Sequence, residues 1–205
     1  MAILPLVIAP DERLTTVSSP IEKIDESIKT LAADMLDTMY HEHGIGLAAV
    51  QVGVLKRLLV ADVNWREGEG PGEQYVLINP EIIEDTKDEH AYKEGCLSFP
   101  DQFAEVVRPS GVRVRYLDLD GKTQEKTFDG LLATCIQHEI DHLNGIVFVD
   151  HISRLKRDMI IKKLQKLKKQ GAFDHVHGPN CNHGHHHDHG HVHGPDCDND
   201  HDHVL

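Results

Sequence analysis

Cysteine is scarce in this chain. There are four in 205 residues, at positions 96, 135, 181 and 197, with none of the paired spacing of a disulfide framework, so a reducing compartment is expected. No basic region precedes the apolar amino end, MAILPLVIAP. That stretch is interrupted by Pro5 and falls well short of the ~20 apolar residues of a membrane helix, so it reads as neither signal peptide nor span. The expected location is the cytoplasm. Lysine and arginine are absent from 171–205, which instead holds six aspartates and eleven of the 17 histidines. The tail thus carries nearly half of the formal charge of −13. The body, 1–170, is only mildly acidic, and its net charge says little about partners. A third glycine is missing from Gly44-Ile45-Gly46-Leu47-Ala48-Ala49, which excludes a GxGxxG nucleotide loop.

What is present centres on 134–145, TCIQHEIDHLNG. It holds HExxH as His138-Glu139-Ile140-Asp141-His142. On a helix, residues four apart share a face, so both imidazoles can meet one metal ion. Glu139, rotated by about 100° from His138, can reach water activated there. Two neutral imidazoles and one carboxylate that moves a proton are the parts of a metal-dependent hydrolase. The third ligand is not where extended zinc-protease motifs put it: Gly145 is in place, but Phe148 stands at the ligand position and argues against an endopeptidase. Asp150 and His151 are the nearby candidates, and Cys96, upstream, is the better donor. Cys135 falls on the core side of the helix.

Along the rest of the body, Leu6–Ile8 is predicted as a short strand and Ile24–His43 as a helix burying Ile28, Leu31, Ala32, Met35 and Met39. The small residues of Gly44–Gly53 let another backbone approach. Within them Gln51 is the one polar side chain in an apolar run. Strands are predicted at Arg57–Val63, at Tyr75–Asn79 and Glu81–Glu84 separated by Pro80, and at Val112–Asp118, which turns at Asp120-Gly121 into Lys122–Phe128. Asp129 is placed as N-cap of the HExxH helix and Asn144-Gly145 as its stop. Ile146–Val149 reads as a strand. Ser153 caps a last helix, Arg154–Gln170, with Leu155, Met159, Ile160, Leu164 and Leu167 inward. Its Arg154–Lys169 face carries about +7, an anion-binding surface suited to nucleic acid or a ribonucleoprotein.

The tail repeats itself: His175–Asn182, HVHGPNCN, recurs sixteen residues later as His191–Asp198, HVHGPDCD. With no apolar period it is expected to be disordered. Its imidazoles and thiols suit extra divalent ions. A metal-handling protein with the body as vehicle is therefore the rival reading to an enzyme.

Three stretches together, Gly44–Gln51 (GIGLAAVQ), Glu94–Ser98 (EGCLS) and Gln137–His142 (QHEIDH), resemble the signatures of peptide deformylases, over roughly residues 3–170. The resemblance implies an α+β fold with antiparallel sheets around a central metal-binding helix, then a C-terminal helix and the tail. It covers a catalytic domain, 1–170; the tail, 171–205, departs from the family pattern and is read from its own composition as metal-binding. It implies one metal on Cys96, His138 and His142, Fe²⁺ natively with Zn²⁺, Ni²⁺ or Co²⁺ as substitutes, and water in the fourth position. Glu139 would act as general acid–base, with Gln51 and the Leu97 N–H stabilising the oxyanion. The implied substrate is an N-formylmethionyl nascent peptide, paired to Gly44, Ile45, Gly46, Glu94 and Gly95. Its methionine would enter a pocket of Ile45, Leu131, Thr134 and Cys135. The implied partner of the Arg154–Lys169 helix is the ribosome near its exit tunnel.

Overall fold

A computed structural model describes residues 2–67 and 72–173. The tail repeat lies outside the described residues. A long helix, α1 (Glu26–His41), opens the regular structure. Asp25 caps it by accepting from Ser27 N at 3.0 Å and Ile28 N at 3.4 Å, satisfying amides the helix cannot. The predicted Leu6–Ile8 strand is not one. It is an extended segment that donates Val7 N to Gln51 O (2.7 Å), and the Ala9 amide just beyond it reaches Ser98 O (2.9 Å).

Five strands then form one antiparallel sheet, in the order β1 (Gly46–Ala48), β2 (Leu58–Ala61), β3 (Tyr75–Asp85), β6 (Gly111–Leu117), β7 (Thr123–Asp129). A separate hairpin pairs β4 (Glu89–Cys96) with β5 (Phe99–Pro109). The helix α2 (Gly130–Leu143) follows β7 directly, and α3 (Arg154–Lys169) closes the described regular structure. Both faces of the large sheet are covered. In β2 the alternating pleat sends Leu59 and Ala61 into a cluster with Ile136 and Ile140 of α2, while Leu58 and Val60 join Met35 and Met39 of α1. A third cluster sets Val7, Phe99, Phe148 and Leu164 beneath the hairpin.

Several local expectations change. Pro80 does not divide a strand. β3 runs through it because the register slips between Ile78 and Glu81, and at such a bulge the missing proline N–H costs no ladder bond. Asn79 enters the bulge at φ 51°. Ile146–Val149 is not a strand; a short 3-10 helix covers Phe148–His151, and Asp150 accepts Val147 N at 3.0 Å. Asp129 has the extended backbone of an N-cap, but its side chain makes no capping bond. On α3, Leu155 and Met159 do not face inward: they are 73% and 64% exposed. At about 100° per residue they lie about 80° or more around the helix from Ile160, Leu164 and Leu167, which do pack on the third cluster. No described helix is long and apolar enough to cross a membrane.

Candidate metal centre and active site

The helix α2 runs buried between the large sheet and the hairpin, and its period brings the His138 and His142 rings to centroids 4.9 Å apart. The third group arrives from β4. The register slips between Gly95 and Cys96, and this carries the thiol of Cys96 to 3.2 Å from His142 Nε2. Cys96, His138 and His142 are all buried, with donor atoms within 4.8 Å of one another. His138 Nε2 is buried without a hydrogen-bond partner, as are His142 Nδ1 and both carboxylate oxygens of Glu139. Orphaned buried donors and acceptors call for an explanation. One thiol and two imidazoles converging beside a free carboxylate fit a single divalent ion with an open position. Phe148 stacks on the His138 ring, with centroids 6.2 Å apart.

A charged network stands behind the ligands. His138 Nδ1 lies 2.9 Å from Glu94 Oε2. With Nε2 kept for an ion, Nδ1 carries the hydrogen and donates it, which fixes tautomer and ring orientation. Arg108 binds Glu94 through Nε (2.5 Å) and Nη2 (3.1 Å), and reaches Asp141 Oδ2 through Nη1 at 2.8 Å. The same Asp141 oxygen lies 2.7 Å from His151 Nε2. Glu94 was expected among the peptide-binding residues. Here it is fully buried with both oxygens engaged, so its contact is with a metal-ligand candidate and not with an open cleft. Burial works to raise the Glu94 carboxyl, but hydrogen bonds from His138 and Arg108 outweigh it and hold the group below the usual range.

The remaining expected residues gather at the same place. Gln51 is fully buried; it accepts Ala48 N at 2.7 Å and turns Nε2 toward the Cys96 sulfur at 3.5 Å. Leu97 follows Cys96 in the turn of the hairpin, and its side chain lies against Gly44, where a Cβ would come within 2.7 Å of Leu97 Cδ1. A Cβ on Gly46 would lie 2.6 Å from both Glu139 Oε1 and Cys135 Sγ, so only glycine lets β1 press against Glu139. Gly95 stands against the Phe103 ring in the same way, at 2.6 Å. Cys135 donates to Ile45 O at 3.4 Å, and Leu131 packs beside the cluster that contains them both.

The electrostatics suit an acid–base site. Burial, reinforced by the Glu94 charge, pushes the Glu139 carboxyl well up. Burial and then the Glu139 charge push the Cys96 thiol up. Burial and the neighbouring His138 push His142 well down, leaving it the neutral imidazole a metal needs. Arg108 and Asp141 are the parts that reading the sequence missed. Their only signal was one arginine in the apolar run AEVVRP and the aspartate inside QHEIDH.

A family model described as polypeptide deformylase matches residues 3–158. A peptide deformylase of Mesorhizobium japonicum is 56% identical over 172 residues, covering 84% of this chain and 97% of the relative. One from Brucella suis is 54% identical over 176 residues, covering 86% and 99%. Among solved structures, peptide deformylase from Ehrlichia chaffeensis superposes with a TM-score of 0.77 at 43% identity, covering 83% of this chain and 99% of that one. The Ehrlichia chaffeensis enzyme in complex with actinonin gives 0.78 at 46%, covering 82% and 99%.

Proposed function

The chain belongs to the polypeptide deformylase family, enzymes that hydrolyse the formyl amide of nascent peptides, and from that premise we propose that it removes the N-formyl group from initiator methionine, giving formate and a free α-amine. The observation that carries this is the convergence of Cys96, His138 and His142 within 4.8 Å beside the unpartnered carboxylate of Glu139.

We assign the ion to Cys96, His138 and His142, where it would polarise the formyl carbonyl and lower the pKa of the attacking water. Glu139 takes the proton from that water and returns it to the leaving nitrogen. Gln51 Nε2 and the Leu97 N–H stabilise the negative charge that builds on the formyl oxygen, each such donor being worth ~10²–10³ in rate. The peptide pairs as an added strand with Ile45 and with Gly46 at the start of β1, flanked by Gly44, and with Gly95 on the hairpin. Its methionine enters the pocket of Ile45, Leu131, Thr134 and Cys135. Fe²⁺ is the proposed native ion; a mixed sulfur and nitrogen set accepts Zn²⁺, Ni²⁺ or Co²⁺ as well. The working site is the cytoplasm, at the ribosome, reached through the basic face of α3. Residues 1–170 are the catalytic domain, and 171–205 bind additional divalent ions.

Formate release from formyl-Met-Ala-Ser by anaerobically purified protein, with metal counted per chain, tests the reading. Turnover that tracks Fe²⁺ content is expected. Fully loaded protein that releases no formate overturns it.

A further inference from the structure

β1 ends the sheet order and has a strand neighbour on one side only, β2. Its residue Gly46 abuts Glu139, so a peptide lying along its open edge has its reacting end near Gly46. From there the peptide cannot continue toward Ala48, because Gln51 Oε1 already takes the Ala48 N–H. It must run the other way, past Ile45 to Gly44, two residues and roughly 7 Å along an extended chain. The Ile45 carbonyl faces β2, accepting from Asp62 N at 2.9 Å. At Gly44 the carbonyl is held by a side chain: Trp65 Nε1 donates to it at 2.8 Å.

Trp65 is itself held. Tyr40 meets its ring edge-on at 5.3 Å between centroids, and the His43 ring stacks at 6.2 Å. Tyr40 OH donates to Asp62 Oδ2 at 2.8 Å. The buried Asp62 also accepts Asn64 N (3.2 Å), next to Trp65 in the chain, and Gly72 N (2.8 Å). The half-buried indole thus occupies an acceptor at the end of β1 and stands where a peptide leaving the metal centre would pass.

We propose that Trp65 is a positioning residue for the part of the peptide beyond its methionine. By holding the Gly44 carbonyl it sets where strand pairing along β1 stops, and its ring flanks the residues that follow. The inference rests on the deformylase reading and adds a length-dependent determinant to it. A substrate that ends at methionine should not sense Trp65; one that continues should.

Trp65→Phe keeps a ring against Tyr40 and His43 and removes the N–H. With formyl-Met-Ala-Ser its KM is expected to rise about 3- to 10-fold at unchanged kcat, because the Gly44 carbonyl and the ring that flanks the peptide lose their fixed position before binding. With formyl-methionine amide both constants should stay at wild-type values. A second readout needs no variant at Trp65. It is the one tryptophan in the chain, so in Glu139→Gln protein, which holds substrate uncleaved, the tripeptide should shift its emission and the amide should not. Equal KM changes for both compounds, no change for either, or emission that responds equally to both would overturn the role of Trp65 alone. Wild-type protein that cleaves neither compound would overturn the deformylase reading and this inference with it.

Discussion

Arg108 joins the buried carboxylate of Glu94 to the part-buried carboxylate of Asp141 behind the two histidines. It grips Glu94, which orients His138, and Asp141, which immediately precedes His142 in the chain. At 5% exposure it cannot be removed without leaving the buried Glu94 carboxylate without its cationic partner, a change of about 3–5 kcal/mol. Arg108→Leu is therefore expected to lower the melting temperature clearly. It should also weaken metal binding by about 10- to 100-fold, as other losses behind a metal ligand do. Thermal melting with metal titration checks both, and unchanged affinity would detach the network from the metal. At this scale much was legible from residue types alone. A thiol in EGC and imidazoles four apart carry their chemistry wherever they stand, and the fold brings them together. Arg108 and the true contacts of Glu94 were hidden because they depend on the pairing of β4 with β5, and β5 was not predicted.

Elements with a clean period were the readable ones. α1, α2 and the β6–β7 hairpin lie within a residue or two of their predicted limits because one face of each is apolar at regular spacing. β5 has no such face. Its inward positions include Gln102 and Arg108 beside Phe99 and Val106, and prolines stand at Pro100 and Pro109, so alternation is masked. α3 misled in another way. Its apolar residues were assigned to one stripe, whereas Leu155 and Met159 form an exposed pair beside the basic face. Deleting this helix would be a poor test of ribosome docking, because Leu164 is fully buried against the cluster of Val7 and Phe148 and its loss alone would cost about 2–5 kcal/mol. Lys162, Lys163 and Lys166 are exposed. Reversing all three to glutamate should leave formyl-Met-Ala-Ser turnover intact and weaken ribosome co-sedimentation at least about tenfold, more so at low salt. Unchanged co-sedimentation would remove α3 from the proposed interface.

The molecule as a whole is a large antiparallel sheet with α1 on one face and α2 on the other. A separate hairpin closes over α2 and delivers Cys96. Metal chemistry sits at the join, so it depends on three stretches that are far apart in sequence. The repeat at 175–198 lies outside the described residues. Protein ending at residue 170 is expected to keep its turnover of formyl-Met-Ala-Ser and to bind one metal per chain, with the additional ions lost; equal metal content in both lengths would remove the role proposed for the tail. The most direct test of the centre is X-ray absorption at the metal edge in protein carrying Cys181→Ser and Cys197→Ser, which leaves Cys96 and Cys135 as the only sulfur from cysteine. The expected spectrum has one sulfur, at about 2.3 Å if the ion is zinc, with two imidazole nitrogens, and the sulfur disappears in Cys96→Ala. A metal without a sulfur neighbour, or a sulfur signal that survives Cys96→Ala, would contradict the account.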